Sequence, residues 1–321
     1  MTSEILVIRL GAMGDILHVL PAVATLRRSF PHQKISWAVA KKWVPLLEGN
    51  PNVDFLLPFD RTSPAQFLQS LRTVHDVRPS LAIDFQGLIQ SALLGRASRP
   101  HVYWGWNRSV VRESLAALFY THAYVPHATH KVETNLELAQ AAGASSVARD
   151  FYIPPGREEG ILPGDPFVLT SPFAGWAGKQ WPLEFYESLA KKLKEAGIPL
   201  VANIPPDRDP EFSKFPSILK HTSSLEGLIY ATRRAAAVLG LDSGPLHLAA
   251  ALGKPGVALY GPTDPAINGP FGGSIDVLRT SDAMTSYKRG DEVDTSMRAI
   301  SVDQVYDYLM RVIRESERGE A

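Results

Sequence analysis

Short β-rich runs alternate with helical patterns along the first half of the chain. Predicted strands are Ile5–Arg9, Ile35–Ala40, Val53–Pro58, Leu81–Phe85 and Val102–Trp104, and predicted helices are Ile16–Ser29, Pro64–Asp76, Leu88–Ala97 and Val132–Ala142. Repeated strand–helix units are typical of a parallel sheet that carries helices on both faces.

The alternation starts again after an irregular stretch. Residues 144–166 are rich in Pro, Gly and charge and show no hydrophobic period, so we place the domain junction there. The second half has predicted strands at Phe167–Thr170, Leu200–Asn203, Ala236–Gly240 and Val257–Tyr260, and predicted helices at Leu183–Ala196, Ser224–Arg234, Pro245–Leu252 and Val302–Glu315. The predicted fold is α/β, with doubly wound domains over residues 1–155 and 156–300 and a closing helical segment over 301–321.

Composition excludes several classes of function. Lys and Arg number 33 and Asp and Glu also number 33, so the net charge of zero gives no overall attraction to nucleic acid or to an anionic membrane. Cysteine is absent, which removes disulfides, thiolate nucleophiles and Cys-ligated zinc. The chain has no apolar run long enough to span a bilayer, and its short N-terminal run predicts a strand and not a signal peptide. We expect a cytoplasmic protein that is at most peripheral to a membrane.

The turn after the first predicted strand carries the first candidate site, because doubly wound sheets bind ligands at the carboxyl ends of their strands. Gly11 and Gly14 allow close approach of the backbone, and Asp15 opens the following helix. A plain helix cap is the structural alternative for Asp15. The glycine spacing is not G-x-G-x-x-G, and Lys41-Lys42 stands where a dinucleotide site needs an acid, so a dinucleotide site is disfavoured.

The strongest local signal is the strand–turn–helix sequence from Leu239 to His247. Pro245 suits the first helical position, and backbone N–H groups around Ser243 and Gly244 point toward an anion such as phosphate. His247 adds a possible donor. The alternatives are a simple helix start and a core histidine.

Two other turns follow predicted strands. Small residues in the turn from Ser171 to Pro182 lead to Lys179, which suits a pyrophosphate, although a lysine before a helix is usually a solvated surface charge. The turn from Tyr260 to Pro265 is made rigid by two prolines and needs no function.

Together these motifs resemble a known family. The matching stretches are Gly11-Ala12-Met13-Gly14-Asp15-Ile16-Leu17-His18, Ile83-Asp84-Phe85-Gln86-Gly87-Leu88, Arg112-Glu113-Ser114-Leu115 with Phe119-Tyr120, Lys179-Gln180-Trp181-Pro182, Asp242-Ser243-Gly244 with His247, and Leu259-Tyr260-Gly261-Pro262-Thr263-Asp264-Pro265. They are collinear and span nearly the whole chain. On them the chain resembles the lipopolysaccharide heptosyltransferases, and within that family the type I enzymes.

The resemblance implies a GT-B architecture, in which two Rossmann-like domains face each other across a cleft. The first domain would bind the acceptor, the second the ADP-sugar, and the segment 301–321 would return to the first domain. It also implies transfer of L-glycero-D-manno-heptose from ADP-heptose to the Kdo or inner core of lipopolysaccharide. The implied reaction inverts the anomeric carbon and uses no metal and no cofactor, at the cytoplasmic face of the inner membrane.

The resemblance also assigns roles to residues. An inverting transfer needs a base beside the acceptor hydroxyl, and Asp15 matches the catalytic Asp of the family. The implied donor site consists of Gly175, Lys179, Asp207, Asp242, Ser243, Gly244 and His247, with Asp242 on the heptose hydroxyls and Asp207 on the ribose. The implied acceptor site consists of Arg9, Gly14, His18, Arg61, Gln86, Arg112 and His130, which would meet Kdo carboxylates and lipid A phosphates.

The chain departs from the family pattern at three places. Arg61-Thr62-Ser63-Pro64 replaces a dense Arg/Lys cluster, Thr134 replaces an Arg, and Ala174-Gly175 replaces a pair of small hydroxyl residues in the donor loop. A type II enzyme or another ADP-sugar transferase therefore stays open.

Three readings from other classes also remain. A nucleotide-sugar epimerase of GT-B fold would release an altered sugar without an acceptor. A dehydrogenase would need the missing dinucleotide motif. A noncatalytic sensor would bind ADP tightly without turnover.

The net charge of zero conceals a division between the two halves. Residues 1–150 hold 15 of the 33 basic and 11 of the 33 acidic residues, a net charge of +4, which leaves −4 for residues 151–321. Seven of the nine histidines also lie in the first half. The sign suits a first domain that meets an anionic lipid.

Overall fold

The chain forms two compact units. The computed structural model describes residues 4–164, 166–205, 208, 212 and 214–319. Unit 1 comprises Met1–Pro154 and unit 2 comprises Pro155–Ala321, a division one residue before the predicted one.

Unit 1 is a six-stranded sheet with helices between its strands. Its strands are β1 (Glu4–Ile8), β2 (Lys34–Ala40), β3 (Phe55–Phe59), β4 (Leu81–Asp84), β5 (Val102–Trp106) and β6 (His122–Tyr124). Its α-helices are α1 (Met13–Ser29), α2 (Pro64–His75), α3 (Ile89–Ala97) and α4 (Lys131–Ala141), and 3₁₀ helices lie at Lys41–Leu46 and Ser114–Phe119. The strand order is β3-β2-β1-β4-β5-β6, and all neighbours are parallel.

Unit 2 repeats this architecture. Its strands are β7 (Val168–Thr170), β8 (Leu200–Asn203), β9 (Leu219–His221), β10 (Ala237–Leu241), β11 (Gly256–Tyr260) and β12 (Ile275–Arg279). Its α-helices include α5 (Leu183–Glu195), α6 (Leu225–Arg234), α7 (Gly244–Ala251), α8 (Pro265–Asn268), α9 (Thr295–Ala299) and α10 (Val302–Glu317), and a 3₁₀ helix spans Ala177–Lys179. The parallel order β12-β11-β10-β7-β8-β9 has the same topology as unit 1 when read from the other edge.

This topology determines where each unit can bind a ligand. In each sheet the strand order reverses beside the first strand, so β1 and β4 flank the reversal in unit 1, and β7 and β10 flank it in unit 2. The turns that follow these four strands meet at the carboxyl edge of their sheet, where doubly wound folds bind ligands.

Helix α10 packs within unit 2. Its apolar residues Val305, Leu309, Val312 and Ile313 are buried in the core of that unit. The helix packs on α5, β10 and β11. An amphipathic helix is held where its apolar stripe is buried, so this stripe fixes α10 to unit 2, and the return of segment 301–321 to the first domain stays a prediction.

Candidate active site

The β1–α1 turn holds Asp15 beside Arg9. Helix α1 begins at Met13, so Asp15 lies in its first turn and is not the N-cap residue. Its Oδ2 accepts a hydrogen bond from the Ala12 N–H at 3.2 Å and lies 2.5 Å from the Arg9 guanidinium. The Asp15 side chain is 43% exposed, against 13% for Arg9. The carboxylate is thus anchored on one side and accessible on the other.

The β4–α3 turn fixes this arrangement from the neighbouring strand. The Arg9 guanidinium donates to the Phe85 carbonyl at 2.7 Å, and the Leu10 N–H donates to Gln86 Oε1 at 2.6 Å. Both turns follow strands that flank the reversal point, which explains why residues 76 positions apart in sequence are hydrogen-bonded.

A fully buried carboxylate shapes the β4–α3 turn. Asp84 Oδ1 accepts from the N–H groups of Gln86 at 2.8 Å and Gly87 at 3.2 Å. Its Oδ2 accepts from the hydroxyls of Ser91 and Tyr120, each at 2.8 Å. Burial raises the pKa of Asp84, and these hydrogen bonds oppose the rise. Asp84 therefore positions the backbone that carries Gln86.

A cavity of about 1010 Å³ opens in unit 1 over these turns. Basic side chains outnumber acidic ones in its lining. The basic residues are Arg9, Lys41, Lys42, Arg61, Arg112 and Lys131, and the carboxylates are Asp15 and Asp60. The rest of the wall includes Trp43, Phe59, Phe85, Trp106, Val110 and Val111. A cavity with apolar walls and several cations suits a large anionic ligand that also has apolar or sugar surface.

Five of the predicted acceptor residues line this cavity. They are Arg9, His18, Arg61, Gln86 and Arg112. Gly14 is buried inside the first turn of α1, and its neighbours Ala12 and Asp15 line the cavity instead. His130 caps α4, where its Nδ1 accepts from the Val132 N–H at 3.2 Å. Its ring lies edge-on to that of His18, with centroids 5.7 Å apart, so it contacts a lining residue of the cavity and is not itself among the lining residues.

Sequence reasoning missed three lysines of the cavity. Lys41 and Lys42 follow the carboxyl end of β2, and Lys131 opens α4. The pair Lys41-Lys42 was used only to disfavour a dinucleotide site, although its place after a strand end was already a signal. The turn after β3 supplies the cavity with one cation, Arg61, and these lysines add three more.

Unit 2 brings together a lysine, an aspartate and a histidine at its own reversal point. Lys179 Nζ, from the turn after β7, lies 2.6 Å from Asp242 Oδ2 and donates to the Asp242 carbonyl at 3.3 Å. His247 Nε2 lies 3.8 Å from Asp242 Oδ1. The side chains of Asp242 and His247 are each 7% exposed, and that of Lys179 is 18% exposed. The Lys179 ammonium also lies 5.9 Å from the Trp176 ring centroid.

Neighbouring charges determine the ionisation of Asp242. Burial raises the pKa of this carboxyl, but the hydrogen bond from His247 and the charge of Lys179 outweigh it and hold the pKa at about 2. The site thus keeps a charged, buried carboxylate through the neutral range, and this carboxylate orients both Lys179 and His247.

The start of α7 lies beside this group. Ser243 is the N-cap residue and Pro245 follows Gly244 in the first turn. Ser243 Oγ is buried and makes no hydrogen bond within the described part of the chain. Gly175 is exposed, and a Cβ at that position would meet nothing within 4 Å. Asp207, the predicted ribose ligand, lies outside the described residues.

The turn after β11 has a structural explanation. Asp264 caps the short helix α8 by accepting from the Ala266 N–H at 2.9 Å. The Tyr260 hydroxyl donates to the Asn268 carbonyl at 2.8 Å. This turn is held by its own hydrogen bonds, as the sequence allowed.

Among residues 4–164, 166–205, 208, 212 and 214–319, no three His, Asp or Glu side chains cluster as a metal site. Over the same ranges, no helix has the length and apolar character needed to cross a bilayer.

Comparisons with known proteins agree with this architecture. A family model described as glycosyltransferase family 9 (heptosyltransferase) matches residues 66–296. Lipopolysaccharide heptosyltransferase 1 of Pseudomonas aeruginosa is 30% identical over 293 residues, which cover 84% of this chain and 82% of the relative.

Two solved structures are also similar to the chain. E. coli heptosyltransferase WaaC with ADP has a TM-score of 0.79 at 23% identity, with 96% of this chain and 99% of that one covered. E. coli ADP-heptose lps heptosyltransferase II has a TM-score of 0.80 at 20% identity, with 98% and 99% covered. The shared fold confirms the predicted α/β class with two Rossmann-like domains.

Proposed function

Because the chain belongs to glycosyltransferase family 9, the heptosyltransferases, we propose that it transfers L-glycero-D-manno-heptose from ADP-heptose to the Kdo of the lipopolysaccharide inner core. The observation that carries this proposal is the cationic cavity of unit 1, which holds an accessible aspartate at the reversal point of the sheet. The type I assignment rests on the resemblance of the motifs and on the relative that is itself named a heptosyltransferase 1.

Asp15 is the proposed general base. An acceptor hydroxyl in the cavity gives its proton to Asp15 as its oxygen attacks the anomeric carbon, and attack opposite the leaving ADP inverts that carbon. Arg9 and the Ala12 N–H hold one carboxylate oxygen, Oδ2, while the other stays available for the hydroxyl. The geometry thus leaves the base oriented before the acceptor arrives.

The cations of the cavity are the proposed acceptor ligands. Kdo carries a carboxylate and lipid A carries phosphates, and guanidinium groups bind both in a bidentate manner. Arg61, Arg112, Lys41 and Lys42 line the cavity. Their side chains are exposed or half-buried, so a ligand can displace water from them without the cost of breaking a buried ion pair.

Unit 2 is the proposed donor domain. The pyrophosphate of ADP-heptose would meet the N–H groups at the start of α7 and the Lys179 ammonium, which Asp242 holds in place. As ADP departs, these preorganised positive groups stabilise the charge that develops on its phosphate. They supply the charge that a divalent ion supplies elsewhere, and the proposed reaction is therefore metal-independent. Gly175 leaves room beside Lys179, and Asp207 is the proposed ribose ligand.

The acceptor is a membrane lipid, so the proposed site of action is the cytoplasmic face of the inner membrane, with peripheral contact only. A type II enzyme would use an acceptor that already carries heptose, and its cavity would need the same classes of ligand. The acceptor assay below separates these two types.

The test is to supply ADP-heptose with Kdo-lipid A and, separately, with a core that already carries heptose. We expect a mass gain of one heptose on Kdo-lipid A, undiminished by EDTA, with inverted anomeric configuration by NMR. Gain only on the heptosylated core would reassign the type. Free altered sugar in the absence of any acceptor would support an epimerase and contradict the proposal.

A further inference from the structure

Exposed leucines follow the cavity residue Arg112 closely in sequence, and the proposed chemistry does not use them. In the 3₁₀ helix Ser114–Phe119, Leu115 is 54% and Leu118 is 70% exposed. Residues three apart in a 3₁₀ helix lie above one another, so these two leucines share a face. Ala116 is fully buried, so the helix packs through its other side.

Two more exposed apolar side chains lie on segments that adjoin this helix. Val110, five residues before Leu115, is 46% exposed and lines the cavity, so the exposed apolar residues of this segment begin at the cavity wall. Helix α3 packs against the 3₁₀ helix, and its Ile89 N–H donates to the Glu113 carboxylate at 2.7 Å. Leu93, one turn after Ile89, is 47% exposed. We define the apolar patch as Leu93, Val110, Leu115 and Leu118.

Three exposed arginines lie close in sequence to the apolar patch. Arg96, Arg108 and Arg112 are exposed, and each lies within three residues of a member of the patch. Arg112 also lines the cavity. Glu113 is the sole acidic residue of the sequence 107–119, and its carboxylate is bonded to a backbone N–H. Exposed aliphatic side chains beside several arginines are the combination that binds an anionic bilayer surface.

We propose that the apolar patch and its arginines dock the enzyme on a bilayer that contains anionic lipid. The inference rests on the proposed function, because a lipid acceptor gives a reason for the patch to continue into the cavity. Docking there would hold the cavity mouth at the level of the headgroups. A stable dimer buries roughly 800 Å² on each partner, which is more than four partly exposed aliphatic side chains offer.

The test measures co-sedimentation of the full chain with vesicles of phosphatidylethanolamine and phosphatidylglycerol, without donor or acceptor. We expect Leu115→Asn/Leu118→Asn to lower the partition coefficient about tenfold, because two aliphatic side chains no longer enter the interface. Both leucines are exposed, so the thermal unfolding midpoint should be unchanged. The matched control is Ile161→Asn/Met284→Asn, which alters two side chains of unit 2 that are 86% and 84% exposed; it should bind like the wild type.

A second measurement separates docking from catalysis. With a water-soluble Kdo acceptor that lacks acyl chains, the leucine variant should transfer heptose at the wild-type rate, and with acceptor embedded in vesicles its rate should fall. Because vesicle binding is measured without substrates, its result does not depend on whether the proposed reaction is correct. Unchanged vesicle binding by the variant, or equal wild-type binding to pure phosphatidylcholine vesicles, would overturn the docking proposal. So would a concentration-dependent dimer that the variant abolishes in analytical ultracentrifugation.

Discussion

At the scale of single residues, the proposed base makes the sharpest prediction. Asp15→Asn should keep the hydrogen bond from the Ala12 N–H, since the amide oxygen can accept it, but it cannot take a proton from the acceptor. We expect kcat to fall by about 100- to 10,000-fold, the usual contribution of a general base, with donor affinity unchanged. Initial rates and calorimetric titration of ADP-heptose measure the two quantities.

Asp60 provides the control for Asp15, because it is the other carboxylate that lines the cavity. Its Oδ1 accepts from the Thr62 N–H at 2.9 Å, a hydrogen bond that an asparagine can keep. Asp60→Asn should therefore retain kcat within a few-fold. Near-normal turnover by Asp15→Asn, or equal losses in both variants, would count against the base assignment.

Lys179 makes a prediction in unit 2. Lys179→Met removes the ammonium that pairs with Asp242, so donor affinity and the rate of ADP departure should both fall, the affinity by at least about tenfold. Lys191→Met on α5, which removes an exposed lysine paired with Glu187, should change neither. Unaltered donor affinity in Lys179→Met would contradict the phosphate contact.

The ion pair between Lys179 and Asp242 makes the stability of the fold depend on pH. The pKa of Asp242 in the fold is about 2, below its ordinary 3.8, so its ionised form stabilises the fold above pH 3.8 and this stabilisation is lost as the pH falls toward 2. Lys179→Met should lose this stabilisation at neutral pH. The difference in free energy of unfolding between wild type and variant should then shrink between pH 4 and pH 2; urea denaturation at each pH measures it.

At the scale of elements, the inner strands and the edge strand β3 were predictable, and the edge strands β6, β9 and β12 were not. β1 and β10 are apolar runs whose side chains are buried on both faces, which is what a parallel sheet produces. β6 and β9 are three residues long and mostly exposed, and Val277 in β12 is 38% exposed. These strands are defined by hydrogen bonds to one neighbouring strand, and the hydrophobic periodicity of the sequence does not reveal such pairing.

The candidate site likewise contains residues that were predictable from sequence and contacts that were not. Asp15 and Lys179 were found because each follows a strand, a property that the sequence order displays. The ion pair between Lys179 and Asp242 joins residues 63 positions apart, and the cavity gathers lysines from the segment after β2 and from α4. Only the strand order brings such residues together, so three-dimensional structure was needed to find them.

The β4–α3 turn makes a prediction about an element. Asp84→Ala leaves the N–H groups of Gln86 and Gly87 and the Tyr120 hydroxyl without this acceptor and takes one of two acceptors from the Ser91 hydroxyl, so the free energy of unfolding should fall by about 3 kcal/mol. Tyr120→Phe removes only one of these donors and should cost about 1 kcal/mol. Chemical denaturation of both variants measures these losses, and a loss in Asp84→Ala no larger than that in Tyr120→Phe would contradict the positioning role of Asp84.

At the scale of the whole molecule, the net charge of zero conceals opposite net charges on the two halves of the chain. Residues 1–150 carry a net charge of +4 and residues 151–321 carry −4. The structure places part of the positive excess on the wall of one cavity, where six basic side chains face two carboxylates. A net charge of zero gives the chain as a whole no attraction to an anionic partner. It does not exclude such a partner for unit 1.

This division predicts that the two substrates respond differently to salt. Apart from Arg9, the cavity lysines and arginines are exposed to solvent, so raising the salt from about 0.1 M to about 1 M shortens the Debye length from about 10 Å to about 3 Å and screens them. The donor-side group is 7% to 18% exposed and is screened much less. The KM for a soluble Kdo acceptor should therefore rise several-fold more than the KM for ADP-heptose.

Lys41→Met/Lys42→Met should reduce the salt dependence of the KM for the acceptor and leave the KM for the donor unchanged. Equal salt dependence of the two KM values would mean that the cationic cavity does not bind the acceptor.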